Sequence, residues 1–368
     1  MKKNYLFLAA AATMFTACVQ NDLVSEMPQE TPQAISFETF ANKQTRAASE
    51  AENSTATDLN LLSVHHDNYV VWGYKNTATN YVFGTSTSSG EVVNSNDNTY
   101  TNTKYWDKAA SKYEFYAAAP NNGKWVLNAK DTDNQADDYF TYKDFALTGT
   151  SLTATATTPE TSFKSVSAED CDLMIASAEP VTNIPSIVQL KFNHILSRLN
   201  ITVKKGSNIK NSDVLKLTSI SVNNLVKNGT FTESAAVKAG TTTRWSAATT
   251  PEEYDINGNP LDNVTTTATY VFQALVIPQF VEYEAPKRDG TDINETTSAP
   301  YIVLNYTIDD EPYKAVYNLA KAFGSTSAPI AFNEGYQNTL NITIDAEEIV
   351  FTAHAFVWDT DDKNFDID

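Results

Sequence analysis

Two runs of carboxylates carry the most visible ligand chemistry in this 368-residue chain, DTDNQADD at 131–138 and DTDDKNFDID at 359–368. Side-chain oxygens at that density suit a hard cation such as calcium. The first run, however, lacks the glycine that an EF-hand loop places at its sharp turn, and the second lies in a ragged terminal stretch. Histidine offers little more. His65 and His66 are adjacent and therefore point to opposite sides of a strand, while His194 and His354 stand alone. No metal site is expected, and His194 is expected to be buried and hydrogen-bonded. Neither H-E-x-x-H, nor G-x-S-x-G, nor a phosphate-binding G-x-x-x-x-G-K-[ST] occurs, so no catalytic residue and no cofactor is assigned. Two of the 45 acidic residues could still meet in a cleft as a glycosidase pair, which linear spacing does not reveal. Cys171, in EDCDLMIAS, is tied to no base by any motif and reads as a small buried apolar residue.

The other cysteine and a lone arginine are more informative. In MKKNYLFLAAAATMFTAC, Lys2 and Lys3 precede an apolar run from Tyr5 to Phe15, then Thr16 and Ala17, then Cys18. This is the pattern of a secretory signal peptide, too short for a stable membrane span. Its end, FTAC, resembles a bacterial lipoprotein lipobox with Phe15 where leucine is usual, which makes Cys18 the acceptor for lipid. VQND then follows without an Asp at the second position and resembles a surface-export tag. With Cys18 in the leader, Cys171 alone remains in the mature body, so no intrachain disulfide forms there. The polar, proline-containing segment 19–34 reads as a tether. A short strand follows, with Ile35 and Phe37 on one face and Ser36 and Glu38 on the other. Behind it, NKQTRAASEAENSTATDL is rich in small and polar residues and holds Arg46, in the kind of exposed segment where proteases cut.

The elements that carry these residues are read as strands. The composition is 42% hydrophobic and 11% aromatic, with Val, Ile, Thr, Tyr and Phe prominent. The net charge of −19 disfavours a surface that grips phosphate, so nucleic acid is not an expected partner. Strand signals begin near Leu59 with NYVVWGYK, NYVFG, KYW and KYEFYAAAP, the last stopped by Pro120; the stretch GTSTSSGEVVNSNDNTYTNT reads as turn chemistry. EPVTNIPS at 179–186 is the expected hinge. Beyond it Leu199, Ile201 and Val203 share a face, and YIVLNYTID puts Ile302, Leu304, Tyr306 and Ile308 on one side. NEGYQNTLNI and VKNGTF supply Asn and Gly of the kind that hairpin turns prefer. The fold class is all-β, two packed antiparallel sandwiches in tandem. In the last strand signal, EEIVFTAHAFVWD, Ile349, Phe351, Ala353, Ala355 and Val357 form one apolar face, while Val350, Thr352, His354, Phe356 and Trp358 share the other.

Taken in order, the lipobox, ISFETFANKQTRA, KYWDKAASKYEFYAAAP, CDLMIAS, LKFNHILSRLNITVK, ALVIPQ and LNITI…IVFTAHAFVW resemble the fimbrillin family, Mfa-like subunit precursors of type V pili of the Bacteroidales. The resemblance implies two transthyretin-like Greek-key sandwiches: a signal peptide at 1–18, a tether and removable strand at 19–46, and domains at 47–182 and 183–368. It implies a surface fimbrial subunit, held at the outer membrane by lipid before assembly, that contributes to adhesion to a host or bacterial surface ligand. An arginine-specific protease would cut after Arg46, leave Ala47 as the new amino terminus and release the strand of Ile35 and Phe37. Another subunit's strand would then fill the groove, with 347–358 (Ile349, Phe351, Val357) as candidate donor. A rival from another class is a monomeric surface lipoprotein that binds glycan or host protein through Trp72, Trp106 and Trp125.

The acceptor role of Cys18 has a direct check. Cys18→Ala is expected to abolish labelling by a clickable fatty acid and to lower recovery with the outer membrane; unchanged labelling contradicts it.

Overall fold

The computed structural model describes residues 31–41, 62–77, 80–85, 89–128, 139–147, 172–178, 181–185, 187–233, 244–247, 253–284, 298–346 and 348–357. The chain divides into two units, Met1–Gln33 and Ala34–Asp368, and the described strands lie in the second. It is all-β, as expected, and the described helices are single turns, α1 (Leu62–His65) and α2 (Leu319–Ala322).

The first sheet combines β1 (Phe37–Ala41), β2 (Asn68–Lys75), β3 (Tyr81–Phe83), β4 (Glu91–Asn94), β5 (Tyr113–Ala119), β8 (Met174–Ser177) and β9 (Val188–His194). Their order is β1-β9-β8-β5-β2-β3, and β4 pairs with the other half of β2. The second sheet is built from β6 (Trp125–Asn128), β7 (Tyr139–Ala146), β12 (Asn228–Thr232) and β13 (Trp245–Ala247). It packs on one face of the first, where Trp72 meets Phe140 edge-on with ring centroids 5.6 Å apart. The third sheet, in the order β15-β10-β20-β21, joins β10 (Ser197–Lys205), β15 (Thr269–Val276), β20 (Tyr336–Ile344) and β21 (Ile349–Val357). The fourth, β14-β11-β17-β18, joins β11 (Leu215–Val226), β14 (Glu253–Asn257), β17 (Tyr301–Ile308) and β18 (Glu311–Asn318). A small ladder pairs β16 (Gln279–Val281) with β19 (Ile330–Phe332).

The burial patterns explain these layers. In β9, Val188, Leu190 and Phe192 are buried while Gln189, Lys191 and Asn193 are exposed, the period of a strand covered on one side. Strand β2 is buried from Tyr69 to Tyr74 because both faces of the first sheet are covered. One face, with Val70, Trp72 and Tyr74, belongs to the large core that also holds Leu199, Ile201 and Val203. The opposite face, with Tyr69, Val71, Phe115, Leu190 and Phe192, closes a second core over Ile35 and Phe37. Gly73 lets the rings pack closely here, since a Cβ would lie 3.0 Å from Phe83 and Phe115 and those rings would have to shift.

Several expectations need correction. The sheets are not purely antiparallel: β1 runs parallel to β9 and β10 parallel to β20, each joining strands far apart in the chain. The stretch read as turn chemistry contains a strand, β4, because Val93 buries itself against β2. VKNGTF is not a hairpin: Asn228 and Gly229 open β12, and the chain passes from the fourth sheet directly into the second. Gly335 does occupy a left-handed turn, φ 66°, but the strand before it, β19, pairs with β16 rather than with β20. Apart from these corrections, three described ladders join strands on either side of residues 182 and 183: β1 with β9, β8 with β9 and β7 with β12.

Candidate functional site

The strand carrying Ile35 and Phe37 fills a groove on the second core. Before β1 proper begins, the Ile35 N–H donates to the Lys104 carbonyl at 2.9 Å, and the Tyr100 hydroxyl donates to the Ile35 carbonyl at 2.6 Å. The Val188 N–H donates to the Ser36 carbonyl at 2.8 Å, after which Phe37–Ala41 lie in parallel register with Val188–Phe192. Three alternate side chains point inward, and Ile35, Phe37 and Thr39 are 1%, 3% and 4% exposed. Phe37 sits edge-on to Phe83 at 5.1 Å, Phe115 at 5.8 Å and Tyr100 at 6.1 Å, the geometry that aromatic quadrupoles prefer.

A polar contact closes the inner end. Thr39 donates its hydroxyl to Asn98 Oδ1 at 3.3 Å, and Tyr69 donates to the same oxygen at 2.9 Å. Burial pushes the Tyr69 phenol far up, so it stays protonated and keeps donating. Asn98 is held by a tight turn. Its own φ is 54°, a conformation Asn tolerates, and the Asp97 carboxylate accepts both the hydroxyl and the N–H of Thr99. Those bonds, the hydroxyl first, hold the Asp97 carboxyl below its usual range. Neither Asn98 nor Tyr69 stood out in the sequence. Thr39 continues the alternation of Ile35 and Phe37, so it was accessible to pattern, whereas Asn98 sits in a polar run with nothing to mark it.

In the sheet order β1 is terminal and its ladder partner is β9. The other predicted residues fall elsewhere. Cys18, Arg46, Ala47, Cys171, Trp358 and both acidic runs lie outside the described residues. The candidate donor strand, β21, is terminal in the third sheet and pairs antiparallel with β20 from Ile349 to Val357. Ile349, Phe351 and Ala353 are half-buried, Phe351 meeting Tyr317 at 4.7 Å, while Val350 is 44% exposed and Thr352 and His354 face solvent. Thus β1 and β21 belong to different sheets, and the structure does not bring them together within one chain.

Other polar groups serve the core. His194 is buried and its Nδ1 lies 2.5 Å from Asp172 Oδ2, the hydrogen-bonded histidine expected. Arg244 stacks over Phe231 at 5.0 Å and bonds Glu334 through Nε at 2.7 Å; burial raises the Glu334 carboxyl despite that partner. Among the described residues no cluster of His, Cys, Asp and Glu has the geometry of a metal site. Trp72, Trp106 and Trp125 are buried, so they build the core and do not present a surface for glycan.

A family model described as fimbrillin-like matches residues 45–358, most of the sequence, and the chain belongs to that family. Among solved structures, a fimbrial protein from Bacteroides vulgatus is similar at 15% identity and a TM-score of 0.49, over 89% of this chain and 99% of that one. The tip fimbrial protein Mfa3 from Porphyromonas gingivalis, solved with a C-terminal truncation, is similar at 9% identity and a TM-score of 0.40, over 79% of this chain and 94% of its own. No curated protein matches.

Phe37 is the largest inward side chain of the groove's occupant. Phe37→Ala is expected to destabilise the uncut protein by about 3–5 kcal/mol, the usual cost of emptying a buried phenylalanine site. Denaturant unfolding measures this, and a change below roughly 1 kcal/mol would show that the groove does not depend on its occupant.

Proposed function

We propose that this chain is a structural subunit of a cell-surface fimbria that polymerises by exchanging the strand in the groove. The precursor is exported as a lipoprotein acylated at Cys18 and held at the outer membrane. An arginine-specific protease cuts after Arg46, leaving Ala47 at the new amino terminus and freeing the strand of Ile35 and Phe37. A neighbouring subunit then supplies a strand, with β21 (Ile349, Phe351, Val357) as donor, and the assembled filament meets a host or bacterial surface ligand.

The observation that carries this reading is the position of β1. It contributes buried side chains to a core and yet occupies the end of a sheet, paired with β9. Removing it uncovers the edge of β9 and the apolar floor of Phe83, Phe115 and Leu190, a template for any extended chain. Each large apolar side chain returned to such a floor contributes about 1.5–3 kcal/mol before ordering costs. A groove on one subunit and a donor on another make a head-to-tail contact that does not close on itself, and repetition of such a contact builds a filament.

Arg46→Ala tests the switch. The variant is expected to reach the surface as an uncut precursor and to give no ladder of oligomers in mild detergent. A normal ladder from uncut Arg46→Ala would contradict the proposal.

A further inference from the structure

The groove reads its occupant at alternate positions: an aliphatic side chain at Ile35, an aromatic one at Phe37 and a hydroxyl at Thr39, all pointing inward. The same spacing recurs once in the candidate donor. Ile349, Phe351 and Ala353 alternate along β21 on the face that packs against the core, and between them Val350 and Thr352 stand where Ser36 and Glu38 stand in β1. The match runs in one direction along the chain, from the aliphatic residue to the aromatic to the small one. Reversed, the strand would put alanine in the isoleucine site and isoleucine against Asn98.

We infer that β21 of a second copy enters the groove in the direction of β1, parallel to β9, with Phe351 in the site of Phe37, Ile349 in that of Ile35 and Ala353 beside Asn98. This rests on the reading of β21 as donor and adds its direction, its register and a residue that sets its grip. Strand β21 is free to make the move because it is terminal in its own sheet and leaving breaks a single ladder, that with β20. The register is defined because a one-residue slip would turn Val350 and Thr352 inward and expose Phe351.

The role of Asn98 follows from the last site. In the precursor Asn98 Oδ1 accepts from both Thr39 and Tyr69. With Ala353 in place of Thr39 the Tyr69 bond remains and no buried group is orphaned, but the second bond is lost. The outgoing strand is thus held by a polar contact that the incoming strand lacks. Asn98 is a positioning residue that keeps the precursor closed and leaves the polymer contact apolar.

The test uses solvent-facing positions, so that no core is disturbed. In the precursor Glu38 is the register partner of Gln189 on β9. Parallel entry puts Thr352 at that place, and antiparallel entry about the same Phe351 puts Val350 there. One chain carrying Gln189→Cys is co-expressed with a second carrying either Thr352→Cys or Val350→Cys, and polymer recovered from the cell surface is oxidised and run without reductant. The Thr352→Cys pairing is expected to give a cross-linked dimer at roughly ten times the yield of Val350→Cys, since only directly opposed residues reach disulfide geometry. The opposite ratio would overturn the direction while leaving β21 as donor. Absence of both bands in a polymer that still forms overturns the inference, and undiminished polymer from a chain truncated after Glu348 would remove β21 as the donor as well. For Asn98, Ala353→Thr is expected to slow subunit exchange in the polymer roughly threefold to tenfold, the range of one net hydrogen bond. The gain should vanish in an Asn98→Ala background. An equal gain there would show that Asn98 does not read this position.

Discussion

The edge of β9 is the constraint on which the rest of the molecule depends. One side of that strand pairs with β8, and the other is an open row of backbone donors and acceptors unless a further strand lies against it. Below that edge the second core presents Phe83, Phe115 and Tyr69, which, among the described residues, no second sheet covers in the way that the sheet of β6, β7, β12 and β13 covers the opposite face. Phe37 and Ile35 therefore do the work of a missing layer. The strand that brings them is joined to the remainder of the fold through the polar segment that holds Arg46.

On the proposed function, this arrangement separates folding from assembly. While β1 is present, the aromatic cluster around Phe37 is packed and the β9 amides that face β1 are paired within one chain. In the proposed exchange β1 leaves, and the same groups then require an extended partner. The energetic logic is that of a protected template, in which the occupant need only match shape and spacing, because main-chain hydrogen bonds contribute affinity for any strand and alternate side chains supply the selectivity. The Thr39, Asn98 and Tyr69 contact adds a polar element to a groove that is otherwise apolar.

Much of the fold was legible because its strands obey local rules. NYVVWGYK, YEFYAAA and YIVLNYTI coincide with β2, β5 and β17, since alternating or continuous runs of β-branched and aromatic residues bounded by turn residues leave few alternatives. The parallel pairings were not legible, because nothing local to β1 names β9 as its partner. Strand β4 was lost in a run of Asn, Ser and Thr, where one buried residue, Val93, decides the pairing. Of the site, Ile35 and Phe37 showed in the pattern, while Asn98 acquires its role only when the turn at 95–99 folds over the end of β1. The burial of Trp72, Trp106 and Trp125 follows from the same physics: a chain with both faces of a sheet to cover has little reason to leave large aromatics in water.

The central claim, that β1 guards an edge which a second chain later occupies, is tested most directly by hydrogen exchange along β9. The Val188 amide, bonded to the Ser36 carbonyl in the uncut protein, and its neighbours in β9 should be protected in the precursor. They should exchange freely in the cut monomer and be protected again in the polymer. Protection of β9 that persists in a cut monomer from which β1 has dissociated would contradict the account.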